Sequence, residues 1–263
     1  MRARKDCYVM MDVEASGHRL GHHDMTQFGA VAVWGKNLEY REAFPVWQPR
    51  PDLPRNLIAP QFNGAPDPDA LKVAGIAWET ICEFGEPPAK WVERFHNWIV
   101  GLKARPGVDK VILVGHGITF DWARVQLLYD QFRVDWPCHY SGMDFKSWWG
   151  GMRAKEHIDS SMTDMREFFG VKKNKKAHDA QADAEYQLDF MLKTFATAGI
   201  IEPPASAGSP SVPGKSKTSA KPRASAKKPA QKINGVQRMA AKRLASLGGS
   251  EKRLKPVPRR RSR

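Results

Sequence analysis

Residues 110–115, KVILVG, form a continuous apolar run after their leading lysine. Such a run reads as a strand buried on both faces, deep inside a layered sheet. Helical patterns stand on either side of it. Residues 89–102 (AKWVERFHNWIVGL) space Trp91, Phe95, Trp98 and Ile99 at helical intervals, a stripe suited to core packing. Residues 120–132 (FDWARVQLLYDQF) read as a helix after a short turn. Residues 7–12, 28–34 (FGAVAVW) and 40–46 (YREAFPV) read as three strands of a meander, and 138–145 as a short fifth strand. The many prolines of residues 47–70 predict a long irregular connection. Residues 163–170 (TDMREFFG) predict a helix with Thr163 as N-cap and Gly170 as its stop, and 180–198 the last long helix. Three strands, then helix, strand, helix, strand, then helices, predict an α/β fold with a mixed five-stranded sheet flanked by helices.

Charge divides the chain. Of its 263 residues and net charge of +14, residues 205–263 hold 17 Lys/Arg against one acid, Glu251. The rest hold 25 Lys/Arg against 27 Asp/Glu. Residues 1–203 therefore read as one nearly neutral domain, and 204–263 as a Ser/Ala/Pro/Lys tail with too little apolar surface to order itself. Within the tail, Ile233, Val236, Ala240, Leu244 and Leu247 fall at helical spacing, a short helix over 233–247 that forms only on a partner. The tail is expected to bind polyanions through counterion release. Cys7, Cys82 and Cys138 show neither zinc spacing nor a disulfide framework and read as reduced, buried thiols. The apolar stretch after the first basic residues is too short for a signal-peptide core. No run is long enough to span a membrane, and the expected location is cytoplasmic, nucleoid-associated, or nuclear in a eukaryotic source.

The first strand ends unusually. In YVMMDVEASG, residues 8–17, Asp12 and Glu14 are two residues apart, which puts both on one side of a strand. Asp121 opens the helix after the buried strand, and Asp183 lies near the start of the last helix. Carboxylates gathered at strand ends repel one another and take up protons unless divalent cations intervene. All-oxygen ligation suits Mg²⁺ or Mn²⁺. His178 and Asp183, in HDAQAD, are five residues apart and would not share a helical face. His178 is therefore expected on the loop before the helix, placed as a general base.

The order of these motifs resembles the DEDDh class of 3′–5′ exonucleases, on the ribonuclease H-like fold. The resemblance covers roughly residues 6–198 and rests on DVEASG, HGITFD and HDAQAD, with FGAV (28–31) and MDFKS (143–147) as weaker matches. It implies Asp12, Glu14, Asp121 and Asp183 as ligands of two Mg²⁺ or Mn²⁺ ions, with His178 activating water. Two ions about 3.5–4 Å apart would stabilise the attacking and leaving oxygens. The substrate implied is single-stranded DNA or RNA, cut from its 3′ end to nucleoside 5′-monophosphates. The family also raises an expectation of a homodimer. The usual Thr after D-x-E is here Ala15 or Ser16, and the usual Asn of the second motif is Gly117. Neither departure removes a ligand. The competing expectations are a non-catalytic nucleic-acid-binding adaptor on a nuclease fold and, more weakly, an endonuclease.

Candidate substrate contacts are Ala15, Ser16, Met25, His116, Phe120, Lys175 and Lys176, the lysines from KKNKK beside His178. Met25 is equally suited to closing the core, and His116 to packing under the second motif. His18, His22 and His23 read as a solvated loop. Asp144 reads as structural. Trp47, Trp78, Trp122, Trp148 and Trp149 offer aromatic faces, of which one or two are expected to meet a base.

Overall fold

The apolar run preceding Asp12 continues through it: strand β1 spans Asp6–Ala15 and carries both Asp12 and Glu14 within the strand. The computed structural model describes residues 6–62 and 64–202. The tail from residue 204, with the helix expected over 233–247, lies outside the described residues. After β1 come β2 (Met25–Trp34), β3 (Tyr40–Ala43), α1 (Pro68–Ala74), α2 (Trp78–Phe84) and α3 (Pro88–Lys103). Then follow β4 (Lys110–Gly115), α4 (Thr119–Phe132), β5 (Met143–Asp144), α5 (Phe145–Arg153), α6 (Met162–Phe169) and α7 (Ala180–Thr197).

The sheet has the order β3-β2-β1-β4-β5. β1, β2 and β3 pair antiparallel, while β4 runs parallel to β1 and β5 parallel to β4. This is the mixed five-stranded sheet the sequence predicts, with KVILVG inside it. Alternation along β1 divides its side chains. Val9, Met11 and Val13 pack with Phe28 of β2, Trp91 and Phe95 of α3, and Val125 and Leu128 of α4. Met10 joins the opposite layer with Val31, Val114, Phe145 and Trp149 of α5, Met165 of α6, and Leu188 and Met191 of α7. Burying each such large side chain contributes roughly 1.5–3 kcal/mol. Asp12 and Glu14, even with Met10 in register, point toward the α7 layer.

Several local expectations differ from the structure. Residues 138–145 contribute only the two-residue β5, because His139 makes a lone backbone bond to Val111 and the chain then diverges until Met143. The N-cap of α6 is Ser161, whose hydroxyl accepts from the Asp164 N–H, and not Thr163; Gly170 does close that helix in a left-handed conformation. The proline-rich connection ends earlier than 70, since Pro68 occupies the first turn of α1, capped by Asp67. Helices α1, α2 and α5 were not legible as elements. Cys7 and Cys138 are buried, but Cys82 is exposed on the short helix α2; all three are free thiols. The loop 17–24 is not wholly solvated. His23 is buried, its Nδ1 accepting the Arg19 N–H at 3.1 Å, while His18 is exposed.

Candidate active site

α7 is pinned against β2 by an unusual set of amide contacts. The Gln181 side chain accepts from Ala30 N–H and donates to Ala30 O, both at 3.1 Å, mimicking a strand partner. Gln27 Oε1 accepts the Ala180 N–H at 3.1 Å. Gly29 makes the approach feasible: a Cβ there would lie 2.1 Å from Ala180 O. At the helix start, the Asp179 carboxylate accepts from Ala182 N–H at 2.9 Å and pairs with Arg55 at 3.2 Å. These contacts set Asp183, one turn into α7, over the end of β1.

The result is a convergence of oxygens. One carboxylate oxygen each from Asp12, Glu14 and Asp183 lies within 4.8 Å of the others, the only such grouping of ligand side chains among the described residues. Burial, then the charges of Asp121, Glu14 and Asp183, push the Asp12 carboxyl well above its ordinary range. Burial also raises Glu14, opposed by the charge of His178. Burial pushes Asp121 up to about 7, partly offset by a hydrogen bond from the Val13 backbone. Asp121 thus stands electrostatically beside Asp12 but outside the 4.8 Å grouping. It lies in the first turn of α4 and is buried. This donor set fits divalent cations. It consists of hard carboxylate oxygens, and it carries a charge repulsion that cations relieve.

His178 stands at the rim, half exposed, with Nδ1 3.7 Å from Glu14 Oε1. It has a positive φ of 70° and precedes the helix, as the spacing predicts. Its backbone N–H donates to Asp183 Oδ2 at 2.6 Å, and Asn174 Nδ2 donates to Asp183 Oδ1 at 2.8 Å. Both oxygens of Asp183 are therefore held by the loop before α7.

The substrate-contact candidates fall into two groups. Ala15 is half-buried, directly after Glu14; Phe120, Lys175 and Lys176 are exposed. Phe120 covers the Arg124 guanidinium, 3.6 Å from the ring centroid. Ser16, Met25 and His116 turn inward. The Ser16 hydroxyl accepts the Asp24 N–H at 2.9 Å, and Met25 is part of the core. The His116 Nε2 meets Ser160 O at 3.1 Å, and burial lowers its pKa. Asp144 caps α5 and accepts the Gly117 N–H at 3.0 Å, a structural role. Among the tryptophans, Trp149 is fully buried and Trp122 stacks on Trp136 at 5.9 Å.

The sequence reading missed the amides Gln27, Asn174, Gln181 and Gln187. Gln187 was the most accessible of these, since it follows Asp183 by four residues and so shares its helix face. Its Nε2 donates to Asp12 Oδ1 at 2.7 Å.

Over 192 residues, the chain is 27% identical to the 3′–5′ DNA exonuclease Cap18 of Escherichia coli, a match covering 72% of this chain and 92% of that protein. The fold is similar to the nuclease domain of 3′hExo, a DEDDh family member bound to rAMP. That match has a TM-score of 0.56 and 14% identity, over 74% of this chain and 93% of the other. It is also similar to E. coli exonuclease I in complex with a dT13 oligonucleotide, with a TM-score of 0.55 and 18% identity, over 74% of this chain and 42% of that one. No family profile matches the sequence. The mixed five-stranded sheet with its flanking helices is the ribonuclease H-like fold of these structures.

Proposed function

We propose, from the premise that the chain resembles the DEDDh-class 3′–5′ exonucleases in motif order and in fold, that it is a metal-dependent exonuclease of single-stranded nucleic acid. It removes nucleotides from the 3′ end as nucleoside 5′-monophosphates. The observation that carries this reading is the meeting of Asp12, Glu14 and Asp183 within 4.8 Å, with Asp121 beside them and His178 at the rim. Asp12, Glu14 and Asp183 would hold one Mg²⁺ or Mn²⁺ ion, and Asp12 with Asp121 a second. Such ions supply charge stabilisation to the attacking and leaving oxygens of an in-line displacement.

The chain's own residues do the rest. His178 Nδ1 or Nε2 takes a proton from water as its oxygen forms a bond to the terminal phosphorus. The P–O3′ bond breaks, and the shortened strand keeps a 3′ hydroxyl after protonation from solvent. Phe120 offers an exposed ring beside Asp121 on which a base can stack, and the exposed Lys175 and Lys176 would meet the phosphates. The kinship with a protein named as a DNA exonuclease favours DNA as the first strand to test.

The test is digestion of 3′- and 5′-labelled DNA and RNA oligonucleotides with Mg²⁺ or Mn²⁺. Stepwise loss from the 3′ end, abolished by EDTA and by Asp12→Ala, is the expected result. Unimpaired trimming by the Asp12→Ala protein would remove the metal assignment. Binding without cutting under all conditions would leave the adaptor reading instead.

A further inference from the structure

Gln187 ties together the three segments that build the site. It is 8% exposed. Its Nε2 donates to Asp12 Oδ1 on β1 at 2.7 Å, and its Oε1 accepts the backbone N–H of His116, in the turn between β4 and α4, at 3.3 Å. These partners dictate the orientation of the amide, because a carboxylate accepts and a peptide N–H can only donate. The turn is itself anchored. The His116 ring meets the Ser160 carbonyl at 3.1 Å, and the adjoining Gly117 N–H donates to Asp144 at 3.0 Å. The amide is thus fixed at both ends before any ligand arrives.

Asp12 needs such a fixture. One of its oxygens lies within 4.8 Å of oxygens of both Glu14 and Asp183. The terminal torsion of an aspartate is soft, so repulsion from these neighbours would turn the group away from them. A donor on one oxygen resists that rotation, partly offsets the charge, and sets the plane in which the carboxylate is presented. We infer that Gln187 is a positioning residue for the metal centre, holding Asp12 in the orientation that divalent cations require. The inference rests on the metal-dependent reading proposed above. It concerns a residue outside the DVEASG, HGITFD and HDAQAD motifs. Partners that orient metal-ligating groups typically affect metal affinity or activity about 10–100-fold when removed.

The test uses the full chain and its Gln187→Met variant, which keeps the volume and loses both hydrogen bonds. Mn²⁺ affinity is measured by titration calorimetry, and thermal melts are recorded with and without Mn²⁺. The variant is expected to bind Mn²⁺ about 10–100-fold more weakly and to need correspondingly more metal for half-maximal strand shortening, with turnover recovering at high Mn²⁺. The rise in melting temperature produced by a fixed Mn²⁺ concentration is expected to shrink. A purely structural role would lower the metal-free melting temperature and leave the metal's increment intact, which overturns the inference. Unchanged Mn²⁺ affinity in Gln187→Met also overturns it, while binding by the parent chain upholds the metal reading. No Mn²⁺ binding by the parent chain overturns both. Should Gln187→Met fail to fold, Gln187→Asn, whose shorter amide cannot span both partners, is expected to weaken Mn²⁺ binding in the same way.

Discussion

The backbone N–H of His178 donates to Asp183 Oδ2 at 2.6 Å, so the loop that presents the imidazole also holds a carboxylate of the site. The left-handed conformation of His178 turns the chain back to make this bond. The role of the side chain and the role of the backbone at this position are therefore separable.

Replacing His178 by asparagine, which tolerates the left-handed region, keeps the N–H and removes the imidazole. Strand shortening is expected to slow by roughly 10²–10⁴-fold. Mn²⁺ affinity is expected to stay at the parent value, because Asp183 remains held. A matching loss of metal affinity would show that the imidazole supports the ligands and is not a base.

Asp12→Asn removes a carboxylate whose charge is disfavoured first by burial and then by Asp121, Glu14 and Asp183. The metal-free protein is expected to gain stability, on the order of 1 kcal/mol, while activity and metal-induced stabilisation vanish. Urea unfolding with and without Mn²⁺ measures both. A less stable metal-free variant would mean that the carboxylate cluster carries little strain.

The pH dependence follows from Asp121, whose pKa of about 7 lies above that of an unfolded aspartate. Between about pH 4 and pH 7 the folded state binds a proton that the unfolded state has released, so the metal-free chain loses stability as pH rises through that window. Burial and neighbouring charge raise Asp12 and Glu14 too, which act in the same direction. Cations displace those protons, so stabilisation by Mg²⁺ is expected to be larger at pH 8 than at pH 5. Melts at the two pH values decide it; an equal metal increment would contradict the shifted carboxyls.

Gly29→Ala tests the approach of α7 to β2. Its Cβ would meet Ala180 O and Gln181 N at 2.1–2.2 Å, backbone atoms that cannot swing aside. A loss of about 1–3 kcal/mol is expected, together with weaker metal binding as Asp183 is pushed off β1. Denaturant midpoints and Mn²⁺ titration report the two effects; full stability would refute the tight contact.

Removing residues 205–263, with their 17 Lys/Arg, is expected to weaken strand binding at low salt and leave metal-dependent cutting intact. Salt-dependent fluorescence anisotropy gives the slope. An identical slope in the truncated chain would exclude the tail as a polyanion contact.

Much of this protein was decided locally. KVILVG had to be an interior strand because everything after its exposed leading Lys110 is apolar, and the D-x-E of β1 had to face one side because strands alternate. Five residues turn a helix by about 140°, so His178 could join Asp183 at one site only from the loop before the helix. What local sequence did not contain was the distance between remote segments. Gln27, Gln181 and Gln187 look like ordinary polar residues, yet each hydrogen-bonds a backbone group or a carboxylate across 151–175 positions of chain. The small helices α1, α2 and α5 were equally hidden, and the strand expected over 138–145 was legible only in part, since such boundaries follow from packing and caps more than from periodicity. Residue chemistry named the carboxylates; only the close seating of α7 on β2 brought Asp183 to Asp12 and Glu14, because hydrogen bonds and contact repulsion act over a few ångströms in space and are blind to separation along the chain.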